Sequence, residues 1–192
     1  MRAFVWLFAL GCSGSAPKTI SNSAAQRDAP ATYRMSASGL GPLAYQSEAT
    51  EDGLRAALPS LTVKTNDLGE SSGVVYDVFD GDAKLFYVVP DENEAWAEKG
   101  APRYSKTIFA IFATSERIVV DGYSWRVGRP LETAQDLVGC ECWGDGEVTA
   151  CSLREHLSVI FEDRCEAARD AGPHVMIGHK IGRIMWKRTT AD

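Results

Sequence analysis

The sequence lacks the basic excess of a nucleic-acid binder and has no apolar run long enough to span a membrane. Its 192 residues contain 20 Lys and Arg against 26 Asp and Glu, a formal net charge of −6. Nucleic acid selects concentrated basic patches, so we expect no nucleic-acid partner. The apolar run near the N-terminus, residues 3–10, falls far short of the ~20 residues of a membrane-spanning helix.

The sequence also has few residues that would build a catalytic or metal site. None of its three histidines lies at a paired ligand spacing, which argues against zinc. The stretch "GESSG" satisfies G-x-S-x-G, but a strand follows Ser71 where a nucleophile elbow needs a helix. His156 and Asp163 lie at the two ends of a predicted strand, too far apart to pair. We therefore predict no catalytic residue, no cofactor and no metal.

The N-terminus carries an export pattern. Arg2 precedes the short apolar run, and the next residues, "ALGC", resemble the bacterial lipobox. This pattern predicts a signal peptide at residues 1–11, a diacylglyceryl group on Cys12, and a flexible lipidated tether at residues 12–32. The alternative is an ordinary secretory peptide cut near Ala16, with Cys12 discarded. Both interpretations place the folded region outside the cytoplasm.

The remaining chain, residues 33–188, predicts one α+β domain with an antiparallel sheet and two short helices. Alternating or β-branched runs predict strands at 73–80, 84–90, 106–114, 117–125, 147–152, 156–163 and 180–187. Thr50 is placed to N-cap a helix that ends at Leu58, and Pro130 to begin another that runs to Leu137. "GLGPL" and "VGRPL" each precede a predicted helix. They suggest a degenerate duplication with halves 33–116 and 117–188, or a chance likeness.

The stretch "LVGCECWGDGEVTACS" predicts a disulfide-stapled hairpin. A two-residue turn at Asp145-Gly146 places Cys140 opposite Cys151 and leaves Cys142 to pair with Cys165. Two rival pairings stay open at this point: 142–151 with 140–165, and 140–142 with 151–165. A Cys-Glu-Cys redox site is a further alternative, although the thioredoxin-like spacing is missing.

The order of these features resembles a family. A lipobox, a polar tether, "GVVYDVFDGDAKLFYVVPD", "SERIVVDGYSWRVGRPL" and the paired cysteines before "LSVIF" are together similar to the uncharacterised lipoproteins typified by the sigma-E-regulated outer-membrane lipoprotein of enteric bacteria. The resemblance implies a periplasm-facing lipoprotein with no established catalytic residues to carry over. Ser13, which follows the lipobox cysteine, favours the outer membrane under the enteric sorting rule.

These observations predict a non-catalytic envelope lipoprotein that joins the membrane through its lipid and binds an envelope protein or lipid. The alternative is a lipoprotein enzyme, a hydrolase or thiol oxidoreductase, whose site forms only in three dimensions. The interaction candidates are Trp186, Lys187 and Arg188. They lie near Lys180 and Arg183 in the one dense basic segment, which would suit anionic headgroups or an acidic partner.

Overall fold

The structure is a computed structural model that describes residues 31–69, 73–92, 103–143, 147–153, 156–163 and 171–188. The predictions for the signal peptide, for Cys12, for nearly all of the tether and for Cys165 lie outside these residues. Within the described ranges, no helix has the length and apolar character needed to cross a membrane.

The described chain is mostly β, so the predicted α+β class is wrong. Its elements are β1 (Tyr33–Ser36), β2 (Gly39–Leu40), α1 (Glu51–Ala57), β3 (Thr62–Asp67), β4 (Val74–Asp80), β5 (Ala83–Glu92), β6 (Tyr104–Ala113), β7 (Ile118–Val120), β8 (Leu137–Trp143), β9 (Val148–Leu153), β10 (Leu157–Phe161), a short 3-10 helix (Pro173–Met176) and β11 (Arg183–Lys187). The predicted strands are present, although several are shorter than predicted. β1, β2 and β3 were not predicted; the sequence of β3, TVKTND, contains only one large apolar residue, Val63.

One of the two predicted helices forms. The Thr50 hydroxyl accepts a hydrogen bond from the Gly53 N–H at 3.0 Å, so Thr50 is the N-cap of α1. The helix predicted from Pro130 is wrong. There Leu131 N–H donates to the His179 carbonyl at 2.8 Å, and Pro130 bridges to Lys180. Backbone pairing with a distant segment replaces the bonds within a helix.

The main sheet has eight antiparallel strands in the order β3-β4-β5-β6-β11-β10-β9-β8. Residues 33–116 supply four consecutive strands, residues 117–188 supply the other four, and β6 pairs with β11 at the middle, where Ile111 lies opposite Trp186. A smaller sheet, β2-β1-β7, pairs β1 parallel to β7 and so also joins the two parts. This order is consistent with the suggested halves, and the duplication itself stays a prediction.

The core lies mainly on one face of the large sheet, between the sheet and α1, the small sheet and the segment around Leu131. A smaller cluster on the other face holds Ala110, Ala150, Ile160 and Met185. The faces do not alternate regularly along β6. Val89 lies opposite Ala110 and Pro90 opposite Ile108, so Phe109 is the extra residue of a bulge. Phe109 is therefore exposed, where strict alternation predicted a covered position.

Candidate functional site

Trp186 does not belong to any exposed surface. It lies on β11 between β6 and β10, only 2% of its surface is exposed, and its indole N–H donates to the Ala37 carbonyl at 2.7 Å. Its neighbouring candidates differ: Lys187 is exposed and Arg188 is partly exposed. The structure therefore corrects the choice of Trp186 as a contact residue and keeps Lys187 and Arg188 accessible.

Lys187 and Arg188 lie against two exposed aromatic rings. The Lys187 ammonium is 5.1 Å from the centre of the Phe109 ring, and the Arg188 guanidinium is 6.0 Å from that of Tyr45. The Asp91 carboxylate binds Arg188 at 2.9 Å. We name these five residues the Phe109 surface. Phe109 and Tyr45 are 36% and 38% exposed, which makes them two of the few large apolar side chains exposed in the described chain.

The bulge in β6 builds this surface. The Phe109 carbonyl accepts a hydrogen bond from Arg188 N–H at 2.9 Å, and Ile108 N–H donates to the Tyr45 carbonyl at 3.3 Å. The segments that contain Tyr45 and Arg188 are thus hydrogen-bonded to β6 at its bulge, where Phe109 points outward. Sequence periodicity could not find Phe109, since a bulge shifts the alternation without any local composition signal.

A groove of about 400 Å³ adjoins Phe109. It lies between the ends of β5 and β6, and its lining includes Pro90 and Tyr104. The Tyr104 hydroxyl accepts a hydrogen bond from Val74 N–H at 3.2 Å. A Cβ atom on Gly73 would lie 2.3 Å from that hydroxyl, and Gly73 also has φ +76°, so only glycine fits here.

The basic residues that are close in the sequence between 180 and 188 lie on different parts of the surface. Arg188 is paired with Asp91, whereas Arg183 donates to the Tyr87 hydroxyl at 3.2 Å on the face that carries Met185. Lys180 lines a separate cleft. The four basic residues therefore do not form one stripe. The predicted basic and aromatic rim is reduced to the part made by Lys187 and Arg188.

The cleft beside Lys180 has a volume of about 390 Å³ and contains Glu162 and Asp163 in its lining. The Asp163 carboxylate lies 2.9 Å from His179 Nδ1, and both side chains are about half exposed. Such a pair can orient an imidazole as a base. The described lining residues include no hydroxyl or thiol that this imidazole could activate, and the described residues contain no group of three or more His, Cys, Asp or Glu suited to a metal ion.

A partly buried polar cluster lies on the second face of the sheet. The Lys84 ammonium binds the Asp77 carboxylate at 2.6 Å and lies 5.1 Å from the centre of the Tyr87 ring, which stacks on Phe112. Burial raises the pKa of Tyr87, while the hydrogen bond and positive charge of Arg183 act in the opposite direction. These residues come from four separate strands and leave no common motif in the sequence.

The predicted register and the Cys140–Cys151 disulfide of the hairpin are confirmed, whereas the turn predicted at Asp145-Gly146 lies outside the described residues. Cys140 is bonded to Cys151, with Cα atoms 4.0 Å apart, and Trp143 lies opposite Val148. This bond contradicts both rival pairings. Cys142 is also disulfide-bonded. The predicted pairing of Cys142 with Cys165 stays a prediction, since Cys165 lies outside the described residues.

No protein-family model matches the chain, and no curated protein matches it. Its fold is similar to one solved by crystallography, described as the uncharacterized protein yfeY from Escherichia coli. The TM-score is 0.54 at 17% sequence identity, and the match covers 81% of this chain and 99% of that one. At this identity the likeness shows the fold alone: this chain folds like an uncharacterised bacterial protein.

Proposed function

We propose that this chain is a bacterial envelope lipoprotein, anchored through a diacylglyceryl group on Cys12, whose folded region is a non-catalytic binding module. The observation that carries the proposal is the Cys140–Cys151 disulfide. Disulfides persist in oxidising compartments such as the periplasm, which agrees with the export pattern of residues 1–11. The fold likeness to an uncharacterised Escherichia coli protein is compatible with a bacterial source for this chain.

The Phe109 surface is the proposed contact with the envelope partner. Partner-binding surfaces are enriched in aromatic residues and arginine. Here Phe109 and Tyr45 each lie under a cation, and backbone bonds on both sides of β6 hold the two rings in place. A partner that covers both rings would exclude water from both cation–ring pairs and strengthen them.

The anchor is tested by replacing Cys12 with alanine and fractionating cells. We expect the wild-type protein to remain in the membrane pellet after washing with high salt, and C12A to leave it. The mass of the wild-type N-terminal peptide should include the acyl chains. Retention of C12A as an integral component would refute the lipid anchor, and separation of inner from outer membranes on a density gradient would test the outer-membrane assignment.

The binding surface is tested by photo-crosslinking in intact cells. A photoreactive residue at Lys106, which is exposed near the groove, should capture a partner in the wild-type background. The double variant Phe109→Ala/Lys187→Ala should reduce this adduct at least tenfold while its circular dichroism is unchanged. Leu68→Ala is the matched control, because Leu68 is also an exposed large apolar residue and lies outside the Phe109 surface. Equal adducts in all three proteins would refute this surface.

A further inference from the structure

The strand β8 is an edge strand of the large sheet, and some of its backbone N–H and C=O groups point away from its neighbour β9. Cys140 and Cys151 are directly opposed with Cα atoms only 4.0 Å apart, the close spacing of a pair that does not exchange hydrogen bonds. The N–H and C=O of Cys140 therefore point away from β9, toward the side of β8 on which the described chain has no neighbouring strand. Neither group has a hydrogen-bond partner in the described part of the chain.

Each end strand of the sheet has a neighbouring helical element, α1 beside β3 and the 3-10 helix Pro173–Met176 beside β8. β3 also carries Lys64 and Asp67, and the Arg55 guanidinium donates to its Val63 carbonyl. Charged side chains and a covering helix are common devices that prevent edge strands from pairing with other chains. β8 has no lysine or proline, and its bulged residue, Val138, is 61% exposed.

The surroundings of β8 are acidic. Asp136 precedes the strand, Glu141 lies within it, and Glu147 follows the hairpin turn. All three are exposed, and none is paired with a basic side chain in the described ranges. This charge complements lysine or arginine on an incoming strand and repels an acidic one.

A cleft of about 250 Å³ opens beside the strand. Tyr123, Val138 and Leu153 provide its apolar lining, and Asp136 provides a carboxylate. The Tyr123 ring is stacked on buried Trp125, with centroids 4.3 Å apart, and so is held in place. The arrangement suits the aliphatic stem of a lysine or arginine whose charged end reaches Asp136.

We propose that the β8 edge, comprising Asp136, Val138, Cys140 and Glu141, binds an extended basic segment of a partner protein by strand addition. The Cys140 backbone supplies main-chain hydrogen bonds, the cleft takes one basic side chain, and Glu141 pairs with another. A second copy of this chain would bring Glu141 close to its own equivalent, which opposes antiparallel self-pairing. The Phe109 surface takes no part in this site, so either proposal can fail without the other.

The test uses the full chain with its disulfides intact and a nine-residue peptide of alternating lysine and valine. Calorimetry should detect binding of this peptide and none of a counterpart with glutamate in place of lysine. A peptide with its central valine replaced by proline keeps the charge but cannot complete a strand. Asp136→Asn and Glu141→Gln should each weaken binding about threefold, the size typical of an exposed ion pair.

The matched control is Asp67→Asn, which removes one carboxylate from β3 at the opposite end of the sheet and should leave affinity unchanged. Hydrogen exchange should show at least tenfold slower exchange of the Cys140 amide when the lysine peptide is bound. The proposal would be overturned if the proline peptide bound as tightly as the lysine-valine peptide, or if D67N weakened binding as much as the Asp136 and Glu141 variants. Slower hydrogen exchange at β3 on peptide binding would also overturn it. Self-association of the free chain in sedimentation would overturn it in favour of a second copy.

Discussion

At the scale of single residues, burial separates structural from interacting side chains along β11. Trp186 and Lys187 are neighbours in sequence, yet Trp186 is in the core and Lys187 is exposed. Trp186 also joins the two sheets, since its indole N–H donates to the Ala37 carbonyl between β1 and β2. The role of Trp186 is therefore to hold the small sheet against the large one.

Trp186→Phe should destabilise the protein measurably. Phenylalanine keeps most of the ring but removes the indole donor, which leaves the Ala37 carbonyl without its partner. Loss of such a partly buried hydrogen bond costs about 1 kcal/mol, and up to ~3 kcal/mol where water does not replace the lost donor. Urea unfolding followed by circular dichroism measures this change. Lys187→Ala is the control and should cost no more than ~1 kcal/mol, the worth of an exposed cation–π contact. Equal midpoints for W186F and wild type would contradict the assignment.

The position of Trp186 shows what local sequence cannot supply. The basic residues around it suggested that Trp186 belongs to an interaction surface. In the structure β11 pairs with β6 and β10 and is central in the sheet. Strand order depends on which distant strands bury apolar faces together, and no single segment encodes that choice.

At the scale of elements, features fixed by neighbouring residues were predictable. The capping hydroxyl of Thr50 and the register of the hairpin that joins Cys140 to Cys151 both depend on residues close in sequence. The helix predicted from Pro130 failed because Leu131 is buried and its N–H pairs with the carbonyl of His179, far along the chain. Helix start signals are weak beside such tertiary contacts.

The Cys140–Cys151 disulfide should contribute substantially to stability. The bond joins residues 11 positions apart, and closing a loop of about that length is worth about 3 kcal/mol by the chain-entropy estimate. The double variant Cys140→Ala/Cys151→Ala should therefore unfold at clearly lower urea concentration under non-reducing conditions. Glu141→Gln, an exposed change on the same strand, should stay within ~0.5 kcal/mol of wild type. A double variant as stable as wild type would show that the bond contributes nothing.

At the scale of the whole molecule, two consecutive four-strand segments meet between β6 and β11. Individual strands could be read from β-branched and aromatic runs, but this junction could not. The predicted α+β class overestimated the helices because Gly and Pro punctuation was taken as helix boundaries. Several side-chain contacts cross the junction, and the hydrogen bond from Arg183 on β11 to Tyr87 on β5 spans the intervening β6.

Tyr87 should make the protein less stable at alkaline pH. Its pKa is raised in the folded state mainly by burial, so the folded phenol keeps its proton at a pH where the unfolded chain has released it. Above about pH 10, the ordinary pKa of tyrosine, the unfolded chain releases this proton and the folded chain does not, which favours unfolding. This effect grows with pH until the folded phenol also ionises. The contribution of Tyr87 is therefore complete below pH ~10 and declines above it.

Tyr87→Phe removes this dependence together with the hydrogen bond from Arg183. We expect the difference in free energy of unfolding between wild type and Y87F, measured in urea at pH 8, 10 and 11, to shift in favour of Y87F as pH rises. Tyrosine titrations followed by absorbance at 295 nm should differ between wild type and Y87F only in the high-pH part of the curve, because Tyr87 has a raised pKa in the wild type. Loss of an early-ionising phenol instead, or a difference in stability that does not change with pH, would show that Tyr87 is not held neutral by burial at the junction.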